Sequence, residues 1–108
     1  MTIRPYQPSD KASLLAILDA NTPQYFAPEE RADLVNYLEY EVEDYFVAET
    51  VEGIVGAGGL NYFPEEKIVR ISWDYVHPDA HGQGVGKALV QHRLRHVASR
   101  QEIETVVV

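Results

Sequence analysis

The sequence contains no cysteine among its 108 residues. Disulfide bonds, thiolate metal sites and a thiol nucleophile are therefore excluded. It also lacks a run of the roughly 20 apolar residues that a membrane span requires, and Met1–Pro5 has no apolar signal core. These absences predict a soluble protein of the cytoplasm that does not bind membranes.

Basic residues are few, because nine Lys and Arg stand against 17 Asp and Glu. Residues 1–66 carry 13 acids and three bases, whereas residues 67–108 carry four acids and six bases. A negative surface repels polyanions, so nucleic acid is not an expected partner. The last third of the chain can tolerate a phosphorylated ligand. The acids either only keep the protein soluble or attract a cationic ligand, and composition leaves both interpretations open.

The first part of the chain predicts one strand followed by two helices. Thr2–Tyr6 is a short strand that ends among prolines. Ser9 is the predicted N-cap of a helix that ends near Asn21, and Pro28 opens a second helix that runs to about Glu41. The first helix carries an apolar stripe that consists of Leu14, Leu15, Ile17 and Leu18.

The second part predicts three strands, a helix and a last strand. The three strands cover Tyr45–Glu49, Ile54–Phe63 and Ile68–Val76. A helix follows from Gly84 to about Ser99, and Glu104–Val108 is the final strand. The helix carries Val90, Leu94 and Val97 on one side, with Val85, Ala88 and Leu89 adjoining them. The order β-α-α-β-β-β-α-β predicts a mixed α/β sheet in a single domain over residues 1–108.

A glycine-rich turn, His81–Lys87, lies between a strand and the last helix, with glycines at 82, 84 and 86. Glycines let the backbone approach a ligand closely, and amides at a helix N-terminus favour a phosphate or pyrophosphate. A tight turn without a ligand is the alternative. A dinucleotide fingerprint would need glycine at Lys87, and a P-loop would need glycine at His81 and Ser or Thr at Ala88. Neither nucleotide motif is therefore present.

The segment Ile71–Leu89 resembles the acetyl-CoA motif of the GNAT superfamily of N-acetyltransferases. In that motif a strand ends in V-x-P, here Val76-His77-Pro78, and R/Q-x-x-G-x-G/A then opens a helix. The opening Ile3-Arg4-Pro5, followed by Asp10 in the first helix, is also similar to the start of the family. The order of elements agrees with the family over all 108 residues.

The resemblance implies an acyl-CoA N-acyltransferase fold with acetyl-CoA as co-substrate and no metal. The backbone from Gly82 to Lys87 would cradle the CoA pyrophosphate, and the strand around Val76 would bind the pantetheine arm and orient the thioester carbonyl. The fourth and fifth strands would separate to admit that arm. His81 stands where the family has Arg or Gln, which implies a weaker grip. The implied cofactor-binding residues are Val76, His77, His81, Gly82, Gln83, Gly84, Val85, Gly86 and Lys87.

Acyl transfer to an amine needs a neutral amine, a polarised thioester carbonyl and a protonated leaving thiolate. The resemblance implies a base on the fourth strand, but the usual position holds Arg70 in this chain. Asp74 is the nearest acid and shares a strand face with Val76, while Trp73 and Tyr75 point to the opposite face. We predict that Asp74 is partly buried, with a raised pKa, and acts as the catalytic base. The alternative is a structural partner of Arg70 or of a backbone N–H.

His92 and His96 lie four residues apart on the last helix, a spacing that can chelate zinc. The residues between them lack the acid of H-E-x-x-H, and no cysteine assists. We therefore predict a solvated helix face and no metal.

The resemblance implies an N-acetyltransferase that moves an acetyl group from acetyl-CoA directly to a primary amine of a small molecule or peptide. In this family the segment corresponding to Asn21–Pro28 usually borders the acceptor pocket. Nine acids lie between Glu29 and Glu52. Because acids in such number attract cations, we expect a cationic amine.

The family usually continues after the fifth strand with a helix and two more strands, and that helix commonly supplies a tyrosine that protonates the CoA thiolate. No residue of this sequence matches it. An unpaired apolar edge at Val106–Val108 would favour aggregation unless another segment or subunit covers it. We therefore expect either a fragment or a chain that a partner completes, for example in a homo-oligomer. The alternative function is a catalytically impaired acyl-CoA-binding module or a partner-completed interaction module.

Overall fold

Five strands and three α-helices form the chain in a computed structural model that describes residues 1–108. The strands are β1 (Thr2–Pro5), β2 (Asp44–Thr50), β3 (Gly53–Phe63), β4 (Ile68–Val76) and β5 (Thr105–Val107). The helices are α1 (Lys11–Ala20), α2 (Glu30–Asn36) and α3 (Val85–Ala98). The predicted element order is confirmed. None of the helices combines the length and the apolar character that crossing a membrane would need.

The strands form one mixed sheet in the order β1-β2-β3-β4-β5. Neighbouring strands from β1 to β4 are antiparallel, and β5 runs parallel to β4. The pairing with β5 covers only Ile68–Arg70, so the rest of β4, as far as Val76, has no strand on that side. Because β5 ends at Val107, a gap lies beside the end of β4, and the separation of the fourth and fifth strands stays a prediction.

Apolar side chains cover both faces of the sheet. On one face α1 and α2 pack against the strands, and on the other face α3 does. Each fully buried leucine contributes about 1.5–3 kcal/mol relative to an exposed one. The first cluster contains Leu14, Ile17, Leu18, Leu34, Tyr37, Leu38, Tyr45, Val47, Ala57 and Tyr75. The second contains Phe46, Ala48, Leu60, Val69, Ala80, Val85, Leu89 and Val97.

An ion pair joins β1 to the start of α1. Asp10 is only 6% exposed, and its two carboxylate oxygens accept from Nη1 and Nη2 of Arg4, both at 2.9 Å. These hydrogen bonds lower the pKa of Asp10 below its ordinary value. The prediction of Ser9 as N-cap is wrong, because Pro8–Asp10 form a 3-10 turn and it is Asp10 that accepts the amide of Gln7, at 2.8 Å.

The helical backbone of the second helix reaches Glu41 as predicted, but only its first part is α-helical. α2 ends at Asn36, and Tyr37–Glu41 form a π-helical turn. The side chains of Asn36 and Glu41, five residues apart, are hydrogen-bonded from Nδ2 to Oε2 at 2.9 Å, which spans the wider turn. Tyr37 is thereby held against the sheet, where its hydroxyl donates to Asn61 Oδ1 at 2.7 Å.

The buried face of α3 also differs from the predicted one. Its buried residues recur every four positions and include a charged one, Arg93. The predicted stripe is wrong at Leu94, whose side chain is 44% exposed. The apolar pattern predicted that Leu94 rather than Arg93 would be buried, because arginine is rarely buried without a partner. Arg93 faces the sheet because Asp74 of β4 supplies that partner.

Candidate active site

The glycine-rich turn between β4 and α3 presents its amides to solvent. Gly82 and Gly84 have φ of 79° and 81°, a left-handed conformation that favours glycine, and a Cβ at either would meet nothing within 4 Å. The six amides of Gly82–Lys87 have no acceptor within the chain, and the next amide, of Ala88, donates to Gly84 O at 3.0 Å. Free amides at a helix N-terminus form a site suited to an anion.

The remaining implied cofactor residues do not all reach one surface. Lys87 is exposed and forms no ion pair, so its ammonium group is free to meet a phosphate. His77, Gln83 and Val85 instead line a separate cavity of about 450 Å³ beside the β2–β3 turn. His77 Nδ1 accepts the amide of Asp79 at 3.0 Å, which holds its ring on that side.

The backbone of Val76 faces the gap beside the end of β4. The amide of His77 donates to Val55 O of β3 at 2.8 Å, and hydrogen-bonded residues alternate along an antiparallel pair. The N–H and C=O of Val76 therefore point away from β3. The carbonyl of Val76 accepts from Asn21 Nδ2 at 3.1 Å and lies 2.9 Å from His81 Nε2. His81, which replaces the Arg or Gln of the motif, is thus bonded to β4 itself.

A β-bulge interrupts β4 just before its end. Trp73 and Asp74 together oppose the single residue Gly58, and Trp73 has φ of 45°. A Cβ at Gly58 would lie 2.7 Å from Arg93 Cζ, so the close approach requires glycine there. Trp73 and Tyr75 pack on the α1 side of the sheet, and Asp74 faces α3, as the predicted alternation requires.

Asp74 forms an ion pair with a fully buried arginine. Its side chain is 35% exposed, while that of Arg93 is 0% exposed, and Arg93 Nη2 lies 3.0 Å from Asp74 Oδ1. Nη2 has no hydrogen bond of good geometry, so charge attraction rather than a directed bond joins the two groups. The predicted alternative partner, Arg70, is wrong, because the guanidinium of Arg70 lies 5.7 Å from the ring centroid of Phe63. The role of Asp74 as a base stays a prediction.

Two cavities have Asp74 in their walls. The larger, of about 690 Å³, lies over β3 and β4 beside α2. The smaller, of about 220 Å³, lies between the end of α1 and the end of β4 and is lined by Val76 and His81. Phe26 and Asp74 line both cavities. Asp74 therefore borders both cavities.

The larger cavity combines aromatic walls with carboxylates that have no cationic partner. Its aromatic side chains are Phe26, Tyr37, Phe63 and Trp73, and its carboxylates besides Asp74 are Glu30, Glu41 and Glu43. None of these three glutamates forms an ion pair, and neither does Arg70 on the same wall. Burial raises the pKa of Tyr37 to about 12, so its hydroxyl stays protonated. The excess of negative charge favours a cationic ligand.

The two histidines at zinc-binding spacing have separate partners. The ring of His92 packs against Phe46 at a centroid distance of 4.7 Å, and burial lowers the pKa of His92. His96 Nε2 lies 3.0 Å from Asp44 Oδ2. No group of three His, Asp or Glu side chains is placed to hold a metal ion.

Sequence reasoning missed two buried polar residues of the site, Asn21 and Arg93, which are 2% and 0% exposed. Each of them continues an apolar stripe at helical spacing. Asn21 lies three residues after Leu18, and Arg93 lies four residues after Leu89. A polar residue on the buried stripe of a helix is the signal that could have identified both.

Comparison with known families gives one match in sequence. The sequence model of the acetyltransferase (GNAT) family matches residues 14–108. No curated protein matches the sequence.

Solved structures share the fold at low sequence identity. A GNAT family acetyltransferase from Brucella melitensis in complex with acetyl-CoA is 18% identical, with a TM-score of 0.80 over 98% of this chain and 73% of its own. An aminoglycoside 6′-N-acetyltransferase complexed with coenzyme A is 21% identical, with a TM-score of 0.72 over 93% and 57%. A ribosomal-protein-alanine N-acetyltransferase from Brucella melitensis is 23% identical, with a TM-score of 0.70 over 94% and 69%. The chain thus spans 57% to 73% of these three proteins.

Proposed function

Because this chain belongs to the acetyltransferase (GNAT) family, we propose that it moves the acetyl group of acetyl-CoA directly to a primary amine. The observation that carries the proposal is the pair of adjoining cavities that share Asp74 and Phe26. The smaller cavity adjoins the glycine-rich turn through His81, and the larger has acidic and aromatic walls. Both reactants can be held side by side, as direct transfer in a ternary complex requires.

The chain's own groups suit the phosphates and the extended arm of acetyl-CoA, which supplies the activated acyl group. The free amides of Gly82–Lys87 and the positive end of the α3 dipole would hold the pyrophosphate. The unpaired ammonium group of Lys87 adds positive charge to the same turn. The gap beside β4, beyond Arg70, would take the pantetheine arm, with the N–H of Val76 as a donor.

We assign the larger cavity to the acceptor amine and propose that this amine is cationic. Glu30, Glu41 and Glu43 form no ion pair, and Arg70 on the same wall offsets only one of their three charges. A protonated amine entering this cavity would be attracted by all three. The aminoglycoside and ribosomal-protein-alanine acetyltransferases that share the fold are named for amine acceptors of two different sizes. A small molecule and a peptide therefore both remain within the proposal.

Asp74 is the residue that we propose to handle the proton of the amine. The amine nitrogen forms a bond to the thioester carbon, the carbon–sulfur bond breaks, and its electron pair leaves with sulfur. One proton must leave the amine and one must reach the thiolate. Asp74 Oδ2 has no hydrogen-bond partner in the chain and Asp74 lines both cavities, so we assign to this oxygen the role of accepting the N–H of the amine. Arg93 holds the other oxygen of the carboxylate in place.

The glycine-rich turn gives the sharpest test of acyl-CoA binding. The double variant Gly84→Val with Gly86→Val should bind acetyl-CoA at least about a hundredfold more weakly in calorimetric titration, because branched side chains would block the amides. Gly53→Val is the matched control, since Gly53 also has positive φ, 121°, and open space around its Cβ position, but lies at the start of β3, next to the turn that follows β2. Unchanged affinity in the double variant would refute the assignment of the turn.

A panel of amines separates an enzyme from a binding module. We expect the release of free CoA to be fastest with cationic amines and to slow as salt screens the glutamates. Equal rates with neutral and cationic acceptors, without salt dependence, would refute the proposal that the larger cavity selects a cationic amine. If acetyl-CoA bound and no amine released CoA, the chain would be an acyl-CoA-binding module rather than an acetyltransferase.

A further inference from the structure

The carbonyl of Val76 is already occupied by donors from the chain. A backbone carbonyl has two lone pairs. Those of Val76 are directed to Asn21 Nδ2 at 3.1 Å and to His81 Nε2 at 2.9 Å. A ligand amide that runs along this edge of β4 therefore finds the N–H of Val76 available as a donor but not its carbonyl as an acceptor. A buried acceptor for the N–H of such a ligand must therefore come from another residue.

Asn21 carries such an acceptor. Its Nδ2 donates to two carbonyls, those of Ile17 at 2.9 Å and of Val76, and since carbonyls only accept, the amide cannot be flipped. Oδ1 consequently points the other way, and no group of the chain donates to it. Asn21 is 2% exposed. The only fully buried side-chain polar atom without a hydrogen bond is Nη2 of Arg93, so Oδ1 of Asn21 keeps a little accessible surface. Oδ1 is therefore unpartnered but reachable, and the cavity that Asn21 lines is the smaller one.

We propose that Asn21 Oδ1 accepts a hydrogen bond from an amide N–H of the pantetheine arm, which makes Asn21 an acyl-CoA-binding residue. This inference rests on the proposed function. The side-chain amide of Asn21 continues the edge of β4, because its Nδ2 donates to the carbonyl of Val76 and its Oδ1 faces the opposite side. The N–H of Val76 and Oδ1 of Asn21 together offer one donor and one acceptor on the same edge, which match the carbonyl of one amide of the arm and the N–H of the other.

The position of the smaller cavity favours the pantetheine arm over other donors. The cavity lies between the glycine-rich turn, which suits the phosphates, and Asp74, where the acyl group would meet the amine. The pantetheine arm, which connects these two ends of acetyl-CoA, carries two amides. An unfilled acceptor in a nearly buried side chain costs free energy, and the arm would remove that cost when it binds.

A chemical double-mutant cycle tests the contact by calorimetry. The native protein should bind CoA about five- to tenfold more tightly than an analogue in which an ester oxygen replaces the contacted amide N–H. The variant Asn21→Ala should bind both ligands with equal affinity, at the level of the native protein with the ester. Adenosine 3′,5′-bisphosphate, which lacks the arm, should bind both proteins equally. Thr22→Val is the matched control, because it removes the 2.8 Å bond from Thr22 Oγ1 to Leu18 O at the same helix end.

The outcomes separate this inference from the proposed function. If Asn21→Ala still distinguished CoA from each of its two ester analogues as the native protein does, Asn21 would not contact the arm. If Asn21→Ala changed only the KM of the amine, Oδ1 would belong to the acceptor site, and the inference would be overturned. If the native protein bound neither CoA nor adenosine 3′,5′-bisphosphate, the proposed function would fail, and the inference with it.

Discussion

Replacing Asp74 with asparagine should destabilise the fold more than the exposure of this side chain suggests. Asp74 is 35% exposed, and substitutions at such positions usually change stability little. Its partner Arg93 is 0% exposed, however, and arginine cannot lose its charge. Asp74→Asn therefore leaves a buried guanidinium without a counter-charge. This situation typically costs about 3–5 kcal/mol.

The reverse substitution, Arg93→Met, should cost less. It removes the hydrogen bonds from Arg93 Nε to Leu89 O at 3.1 Å and from Nη1 to Gly59 O at 3.3 Å. Each such bond contributes about 1 kcal/mol, and the buried methionine offsets part of the loss. The remaining carboxylate of Asp74 is exposed enough for water to solvate it. We therefore expect a net cost of about 1–2 kcal/mol for Arg93→Met.

Urea unfolding at neutral pH, followed by circular dichroism, measures both free energies. The double variant Asp74→Asn with Arg93→Met should resemble Arg93→Met alone, so the coupling energy should equal the cost of Asp74→Asn, about 3–5 kcal/mol. Asp44→Asn is a control of similar exposure, 37%, and should lose little, because its partner His96 is itself 41% exposed and the hydroxyl of Tyr62, which donates to Asp44 Oδ2, can still donate to the asparagine oxygen. If Asp74→Asn cost less than Arg93→Met, the guanidinium would not depend on Asp74, and this reasoning would be refuted.

Two further predictions concern the stability of the sheet. Asp10→Asn should cost about 2–3 kcal/mol in urea unfolding at neutral pH. Because Arg4 lowers the pKa of Asp10, the stability that the native protein has over Asp10→Asn is complete at pH values above 3.8, the ordinary pKa. This difference in the free energy of unfolding should shrink as the pH falls below 3.8. A difference that did not depend on pH would contradict the ion pair. Gly59→Ala should cost about 2–3 kcal/mol in the free energy of unfolding, because its Cβ would overlap the buried ring of Tyr45. Gly86→Ala is the control, since the atom nearest to its Cβ would be 3.8 Å away, and this variant should unfold at a urea concentration no lower than the native protein.

Local sequence patterns were sufficient for the elements that depend on neighbours along the chain. The bounds Ile68–Val76 of β4 were predicted correctly, because β-branched and aromatic residues fill it and turn residues stop it at either end. The glycine-rich turn was placed correctly between β4 and α3 for the same reason. The fold followed from the order of these elements and from the family resemblance.

The contacts that define the candidate site could not be read from local patterns. Asn21 and Val76, which are hydrogen-bonded, lie 55 residues apart in the chain. The bulge at Trp73 depends on glycine in the neighbouring strand and on the buried Arg93 beneath it. No periodicity within β4 contains that information. The π-helical turn after α2 likewise depends on a side-chain contact that a helical pattern does not encode.

Asn21 and Arg93 approach β4 from opposite faces of the sheet and bond to it near the gap. Asn21 of the α1 side reaches the carbonyl of Val76, and Arg93 of α3 reaches the carboxylate of Asp74. Each polar group gives up apolar contact on a buried stripe, which costs stability unless the group is paired. An apolar side chain at either position would still let the helix pack, but it could not fix the direction of a carbonyl or a carboxylate. Polar residues that break the apolar pattern on two helices and converge on the end of one strand are therefore the feature that distinguishes this end of β4 as the candidate site.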